Sequence, residues 1–160
     1  MALSREQVLE WLAAVVDPEI PVLTIADLGI LRDVTIGDHV TVQLTPTYSG
    51  CPATEVIEKS VIDALSEKGI ENVRIERVLS PAWTTDWISD EGREKLREYG
   101  IAPPETGASK RELVHGARTI ACPRCASVNT AVVSEFGSTA CKASYKCNDC
   151  LEPFEYFKCI

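Results

Sequence analysis

Several features are missing from this 160-residue sequence, and each absence excludes a class of protein. No run of 18 or more apolar residues occurs, so no segment reads as a membrane-spanning helix. The opening residues, Met1-Ala-Leu-Ser-Arg-Glu, carry no basic stretch followed by an apolar core. No secretory leader is read there, and the expected compartment is the cytoplasm. Histidine occurs only twice, as His39 and His115, and neither is close in sequence to Cys51, so no base is placed beside a cysteine nucleophile. There is no internal repeat, no low-complexity tract and no dense basic run. Positive charge is in short supply overall, with 16 basic against 24 acidic residues and a net charge of −8. By count, residues 1–100 hold 18 acidic and 9 basic side chains, and residues 101–160 hold 6 and 7. An acidic body is a poor electrostatic match for phosphate backbones. Arg118, Arg124, Lys142, Lys146 and Lys158 are too dispersed to form a nucleic-acid footprint, so neither nucleic acid nor membrane is an expected partner.

What is present is a normal globular composition, 45% hydrophobic and 25% charged, enough for one domain and a mini-domain. Residues 4–16 read as a helix, with Ser4 and Gln7 in a capping-box pattern and Val8, Leu12, Val15 and Val16 at helical spacing. Asp17-Pro18 stops it. Two strands follow, at 30–36 and 39–45. The second alternates Val40, Val42 and Leu44 with Thr41, Gln43 and Thr45, and Gly37-Asp38 reads as the hairpin turn. A second helix is expected over 52–68, with Ile57, Val61, Ala64 and Leu65 as its buried stripe and Gly69 past its end. A third strand is expected at 72–79 and a short helix at 89–99. The fold class is therefore α/β (α+β): a small three-stranded sheet with packed helices over 1–100, a Pro/Gly/Ser-containing linker over 101–117, and a small β zinc-ribbon-like domain over 118–160.

Six of the seven cysteines fall after residue 120. Clustered cysteines in a cytoplasmic chain read as metal ligands or redox groups rather than a disulfide framework. Cys122-Pro-Arg-Cys125 and Cys147-Asn-Asp-Cys150 are two C-x2-C pairs 21 residues apart. Each pair offers two thiolates from one tight turn, and two turns complete a tetrahedral S₄ shell. The intervening chain fits a β-hairpin, with strands at 131–136 and 142–146. Zn²⁺ in a structural site is the expected occupant; iron suits the same ligands, and the second pair argues against a dithiol redox site. A unit of this size has too little core to fold unaided, so the metal is expected to supply folding free energy. Cys141 and Cys159 read as small buried residues, as a redox pair, or as auxiliary ligands to a transferred metal.

Cys51 lies in Thr45-Pro-Thr-Tyr-Ser-Gly-Cys-Pro52, where a strand ends and a helix begins. A thiolate at or near the helix N-cap can accept N–H groups around Ala53 and Thr54 and is favoured by the helix dipole, which makes it a better nucleophile and soft-metal ligand. Gly50 would let a ligand approach the backbone. A buried structural cysteine is the alternative. Among the nearby acids Asp17, Glu19, Asp27 and Asp33, capping of loops and donation of oxygen ligands near Cys51 both stay open. Trp83 and Trp87 either pack the end of the domain or form a docking surface.

The segment Asp17-Pro-Glu-Ile-Pro-Val-Leu-Thr-Ile-Ala-Asp-Leu-Gly-Ile30, taken with Thr45…Gly-Cys-Pro52, resembles the SufT-type iron–sulfur assembly domain. Pro81-Ala-Trp-Thr-Thr-Asp-Trp87 and the tail motifs Glu135-Phe-Gly-Ser-Thr-Ala-Cys-Lys142 and Glu152-Pro-Phe154…Tyr156-Phe-Lys-Cys159 narrow the likeness. Over nearly its whole length the chain resembles the PaaD family, small subunits associated with the bacterial phenylacetyl-CoA 1,2-epoxidase. The resemblance implies a part in aerobic phenylacetate degradation. Two histidines cannot supply the two Glu-x-x-His motifs of a di-iron bundle, and no nucleotide-binding glycine loop is visible, so epoxidation is not expected of this chain. The resemblance implies instead a non-catalytic accessory or maturation protein, in which Cys51 transiently takes iron or an iron–sulfur cluster. The implied partners are the iron–sulfur reductase or the di-iron oxygenase subunit. A structural accessory subunit with no metal-transfer role is the alternative.

Overall fold

The structure is a computed structural model describing residues 2–104 and 119–158. It divides into two compact units, Met1–Trp83 and Thr84–Ile160.

In the first unit, α1 (Arg5–Leu12) opens with the expected capping box: Gln7 N donates to Ser4 Oγ at 3.2 Å and Ser4 N donates to Gln7 Oε1 at 3.1 Å. The helix stops at Leu12, short of the expected residue 16. The reason lies in the next segment. Val15 O accepts from Ile25 N at 2.9 Å, Asp17 N donates to Leu23 O at 2.8 Å, and Val16 bridges Thr24 in antiparallel fashion. These cross-chain bonds satisfy the backbone that a longer helix would have used. The hairpin that follows is β1 (Leu31–Ile36) and β2 (Val40–Leu44), with Ile36 opposite Val40, so three residues rather than two make its loop. The helix α2 (Ala53–Ser66) then crosses over to β3 (Val73–Arg77), which lies parallel to β2 in the order β1-β2-β3. Val40, Val42 and Leu44 of β2 and Ala53, Ile57, Val61 and Leu65 of α2 are buried. Each fully buried valine, leucine or isoleucine among them contributes about 1.5–3 kcal/mol. Trp83 closes the unit: it is buried, and its Nε1 donates to Leu28 O at 2.7 Å.

In the second unit, α3 (Asp90–Tyr99) is capped by Ser89, whose Oγ accepts from Gly92 N at 3.0 Å. Gly100, at φ +90°, turns the chain straight into β4 (Ile101–Ala102). A four-stranded sheet in the order β4-β7-β6-β5 is completed by β5 (Thr130–Ser134), β6 (Lys142–Cys147) and β7 (Pro153–Phe157). Ile101 and Ala102, expected at the start of a linker, instead pair in parallel with Glu155 and Tyr156. The helix α3 packs on β4 and so groups with the ribbon rather than with the first hundred residues. Most of the expected linker lies outside the described residues. Ala102, Ile120, Cys122, Cys147, Phe154 and Tyr156 form a small core, with Tyr145 stacked against Phe154.

Candidate metal centre

The two C-x2-C turns meet at one end of the second sheet. The Sγ atoms of Cys122, Cys125, Cys147 and Cys150 all lie within 4.8 Å of one another. Cys122 and Cys150 sulfurs are 3.7 Å apart, and Cys125 and Cys147 sulfurs 3.6 Å apart. A tetrahedral zinc thiolate with Zn–S bonds of about 2.3 Å places its sulfurs about 3.8 Å apart, so the four residues fit such an ion without rearrangement. Cys122 and Cys147 are buried, Cys125 and Cys150 exposed.

Each turn aims backbone N–H groups at its sulfurs. Cys147 Sγ is bonded by the N–H of Cys150 and of Asp149, which bring its thiol down to about 7. At Cys150 the Glu152 N–H pulls the same way, but burial and the thiols of Cys147, Cys125 and Cys122 outweigh it and push the group up to about 12. Cys125 accepts from the Ser127 N–H, yet burial and its thiol neighbours leave it above the ordinary thiol range. Four thiols so close cannot all ionise unaided. A divalent cation among them supplies the missing charge, and its binding expels their protons.

Three features of this centre were not legible in the motif spacing. First, the residue after each turn's second cysteine has a left-handed backbone: Ala126 at φ +62° and Leu151 at φ +64°. Second, the two turns are braced together. Asn129 Nδ2 donates to Asp149 Oδ1 at 2.8 Å, Ser127 Oγ bonds the same carboxylate, and Asn148 N donates to Asn129 O at 2.9 Å. Such bonds orient the turns that carry the ligands. Third, the loop between β5 and β6 is pinned by a half-buried ion pair. Lys142 Nζ lies 3.6 Å from Glu155 Oε2 and 3.1 Å from Ser138 Oγ, while Ser138 N donates to Glu155 Oε1 at 2.8 Å.

Cys51 is in the other unit, half-buried, in the loop between β2 and α2. The helix N-cap is Pro52, one residue later than expected, and no side chain caps it. The N–H of Thr54 goes to the carbonyl of Cys51 at 3.1 Å rather than to a capping side chain. Gly50 precedes it at φ +80°, with nothing within 4 Å of where a Cβ would stand, so glycine is required there by the backbone while the space above it is open. Thr45, at the root of the same loop, keeps a buried hydroxyl with no hydrogen-bond partner among the described residues.

The acids considered near Cys51 are engaged in local structure. Asp17 Oδ1 accepts from Glu19 N and Ile20 N at 2.7 and 2.9 Å, Asp27 Oδ2 accepts from Thr24 N at 3.1 Å, and Asp33 accepts both from Arg5 and from Val34 N. Cys141 is buried, 3.0 Å from Thr139 Oγ1. Cys159, the other auxiliary candidate, and His115 lie outside the described residues.

The fold and this centre define a class: a small α/β domain followed by a four-cysteine β ribbon. Residues 5–77 match the family described as iron–sulfur cluster assembly protein, and residues 106–158 match the PaaD zinc beta ribbon domain. The chain is 53% identical, over 93% of its length and 89% of the relative's, to an Escherichia coli K12 protein named as a candidate subunit of 1,2-phenylacetyl-CoA epoxidase. It therefore belongs to the PaaD family of epoxidase subunits. It is also 36% identical, over 58% of the chain and 90% of the relative, to an Fe–S protein maturation auxiliary factor of Porphyromonas gingivalis. Two solved structures share the α/β fold. A DUF59 domain from Bacillus anthracis superposes with a TM-score of 0.54 at 27% identity, covering 57% of this chain and 90% of the other. A conserved hypothetical protein from Thermotoga maritima superposes with a TM-score of 0.50 at 34% identity, covering 60% and 98%. Among the described residues no helix is long and apolar enough to cross a membrane.

Proposed function

We propose that this chain is a non-catalytic maturation protein of the phenylacetyl-CoA epoxidase system. In this reading Cys122, Cys125, Cys147 and Cys150 hold one structural Zn²⁺, and Cys51 transiently takes iron or an iron–sulfur cluster for delivery to a partner subunit, the iron–sulfur reductase or the di-iron oxygenase. The work is done in the cytoplasm, where the thiols stay reduced.

One observation carries the division of labour. The four clustered thiols have the spacing of a complete tetrahedral shell, which leaves no position for exchange. Cys51 is the converse: a partly exposed thiol beside an open glycine backbone, with no second cysteine in its unit to close a shell around a cargo. A ligand set that must release its metal has to be incomplete, with the remaining ligands supplied by the cargo or the recipient. The names of the relatives support an assembly role for the first unit.

The test is metal and acid-labile sulfide per chain after anaerobic purification, for the natural protein and for Cys51→Ala. The expected result is one zinc in both, and iron or sulfide in the natural protein alone. Equal iron in the two proteins would remove Cys51 from the transfer step. Full cluster or iron content in the partner subunits of cells carrying only Cys51→Ala would favour a purely structural accessory subunit.

A further inference from the structure

A concave site of about 460 Å³ lies between α3 and the first cysteine turn, wholly within the second unit. Among the described residues its lining contains three arginines, Arg93, Arg97 and Arg124, and no carboxylate. The chain as a whole has the opposite bias, with acids outnumbering bases 24 to 16. Arg93 and Arg97 are four residues apart and so share one side of α3. Arg124 comes from the turn between Cys122 and Cys125 and faces them from the other element, its Nη2 4.0 Å from where a Cβ on Gly100 would stand.

The three guanidiniums are not equivalent. Arg93 is held in place by two main-chain carbonyls: Nη2 donates to Thr85 O at 2.7 Å, and Nη1 donates to Pro104 O. Arg97 pairs with Glu94, whose carboxylate is not part of the lining. Arg124 has no hydrogen-bond or ion-pair partner among the described residues, although its whole fork of donors is available. Arg97 and Arg124 are exposed and hydrated, but three guanidiniums with no carboxylate among the described lining residues give the concavity a positive bias that favours an anion over a neutral or cationic ligand. The rest of the wall is apolar or nearly so, with Pro103, Pro104, Ile120 and Ala126 prominent. Apolar walls lower the local dielectric, which strengthens the attraction, and they offer contact to an apolar body. The volume falls within the range of small-molecule sites, roughly 300–1,000 Å³.

We propose that this cavity binds a small organic anion, a carboxylate or phosphate monoester carrying an apolar group, with Arg124 as its forked ligand and Arg93 and Arg97 supplying the field. The site is separate from Cys51 and does not depend on any role in metal transfer.

The experiment is a titration of the full-length zinc-loaded chain followed by backbone amide NMR, reading Gly100, Ala102, Ala121 and Arg124. The probes are phenyl phosphate, benzoate and, as an uncharged control, benzyl alcohol. The expected result is saturable shifts with at least one of the two anions and none with the alcohol; the stronger anion identifies the preferred headgroup. Arg124→Ala should weaken binding about tenfold or more, and Arg124→Lys should retain part of it, since the charge stays but the fork is lost. Lys146→Ala, an exposed change on β6, should leave binding unchanged. Arg97→Ala gives a second loss should Arg124→Ala fail to retain zinc. Absence of saturable shifts with both anions, equal binding by the Arg124→Ala and Arg97→Ala variants, or matching shifts with benzyl alcohol would each overturn the proposal.

Discussion

Replacing Leu151 by glycine should tighten the ribbon's hold on its metal. Leu151 follows Cys150 in the second turn, at φ +64°, and its side chain is 67% exposed. A left-handed backbone costs a residue with a Cβ about 1–2 kcal/mol. Glycine avoids that cost but loses about 0.5–1 kcal/mol more chain entropy on folding. The exposed leucine side chain contributes little burial to set against the difference, so the net gain is about 0.5–1 kcal/mol, or roughly two- to fivefold in an equilibrium constant. On the expectation that folding of the ribbon is coupled to metal binding, the gain should read as tighter zinc affinity in competition with a chromophoric chelator. Leu151→Ala is the decisive control. It removes the same exposed side chain but keeps the Cβ, so it should leave the affinity where it was. Val133→Gly, equally exposed but within β5, should weaken binding by about 0.5–1 kcal/mol, since glycine inside a strand has only the entropic cost. If Leu151→Ala and Leu151→Gly behave alike, backbone handedness is not what limits this turn, and the reasoning fails.

Three further outcomes follow from the packing. A Cβ on Gly137 would stand 2.7 Å from Glu155 Oε1 and 3.3 Å from Lys142 O, and Glu155 is tied to Ser138, so Gly137→Ala should cost about 1–3 kcal/mol as overpacking, seen as a lower midpoint in zinc-loaded denaturation. Glu155 is held below the ordinary carboxyl range: burial raises it, but the N–H and hydroxyl of Ser138 and the Lys142 ammonium outweigh that. Its contribution is therefore complete above pH 4.5 and is lost as pH falls through the depressed native value; Glu155→Gln should flatten that acid limb, and an unchanged profile would contradict it. In the first unit, Trp83→Phe removes the bond to Leu28 O and leaves a buried carbonyl unpaired, which should cost about 1–3 kcal/mol in urea unfolding of the zinc-loaded chain while leaving zinc affinity unchanged.

The parts of this molecule that could be read from sequence are those set by local periodicity. The alternation in β2 and the stripe Ile57–Val61–Leu65 correspond to buried faces, and the capping box at Ser4 forms as spaced. What was not legible depends on partners distant in the chain. Val15 and Val16 have helical spacing but are taken by Thr24 and Ile25. Ile101 and Ala102, beside two prolines, look like linker until Glu155 and Tyr156 offer them a strand to pair with. β7 is not legible in the sequence, because Pro153-Phe-Glu-Tyr-Phe157 pairs with β6 on one side and with β4, distant in the chain, on the other. At the metal centre the spacing of the cysteines announced the ligands. It could not announce the handedness at Ala126 and Leu151, because neither is the glycine that normally marks such a position.

The same contrast bears on how the two kinds of thiol can be used. In the ribbon, the N–H groups of Ser127, Asp149, Cys150 and Glu152 converge on sulfur, and the Asn129–Asp149 bond ties one turn to the other, so four thiols are held together in a preformed set. Around Cys51 the geometry runs the other way. The first-turn N–H of Thr54 is spent on a backbone carbonyl, the acids Asp17 and Asp27 are committed to their own loops, and the space over Gly50 is open. On the proposed reading, an ion at Cys51 would be held by one protein sulfur and would depend on ligands brought by the recipient. Transfer then needs no unfolding of the carrier, only a recipient with more donors to offer than one cysteine.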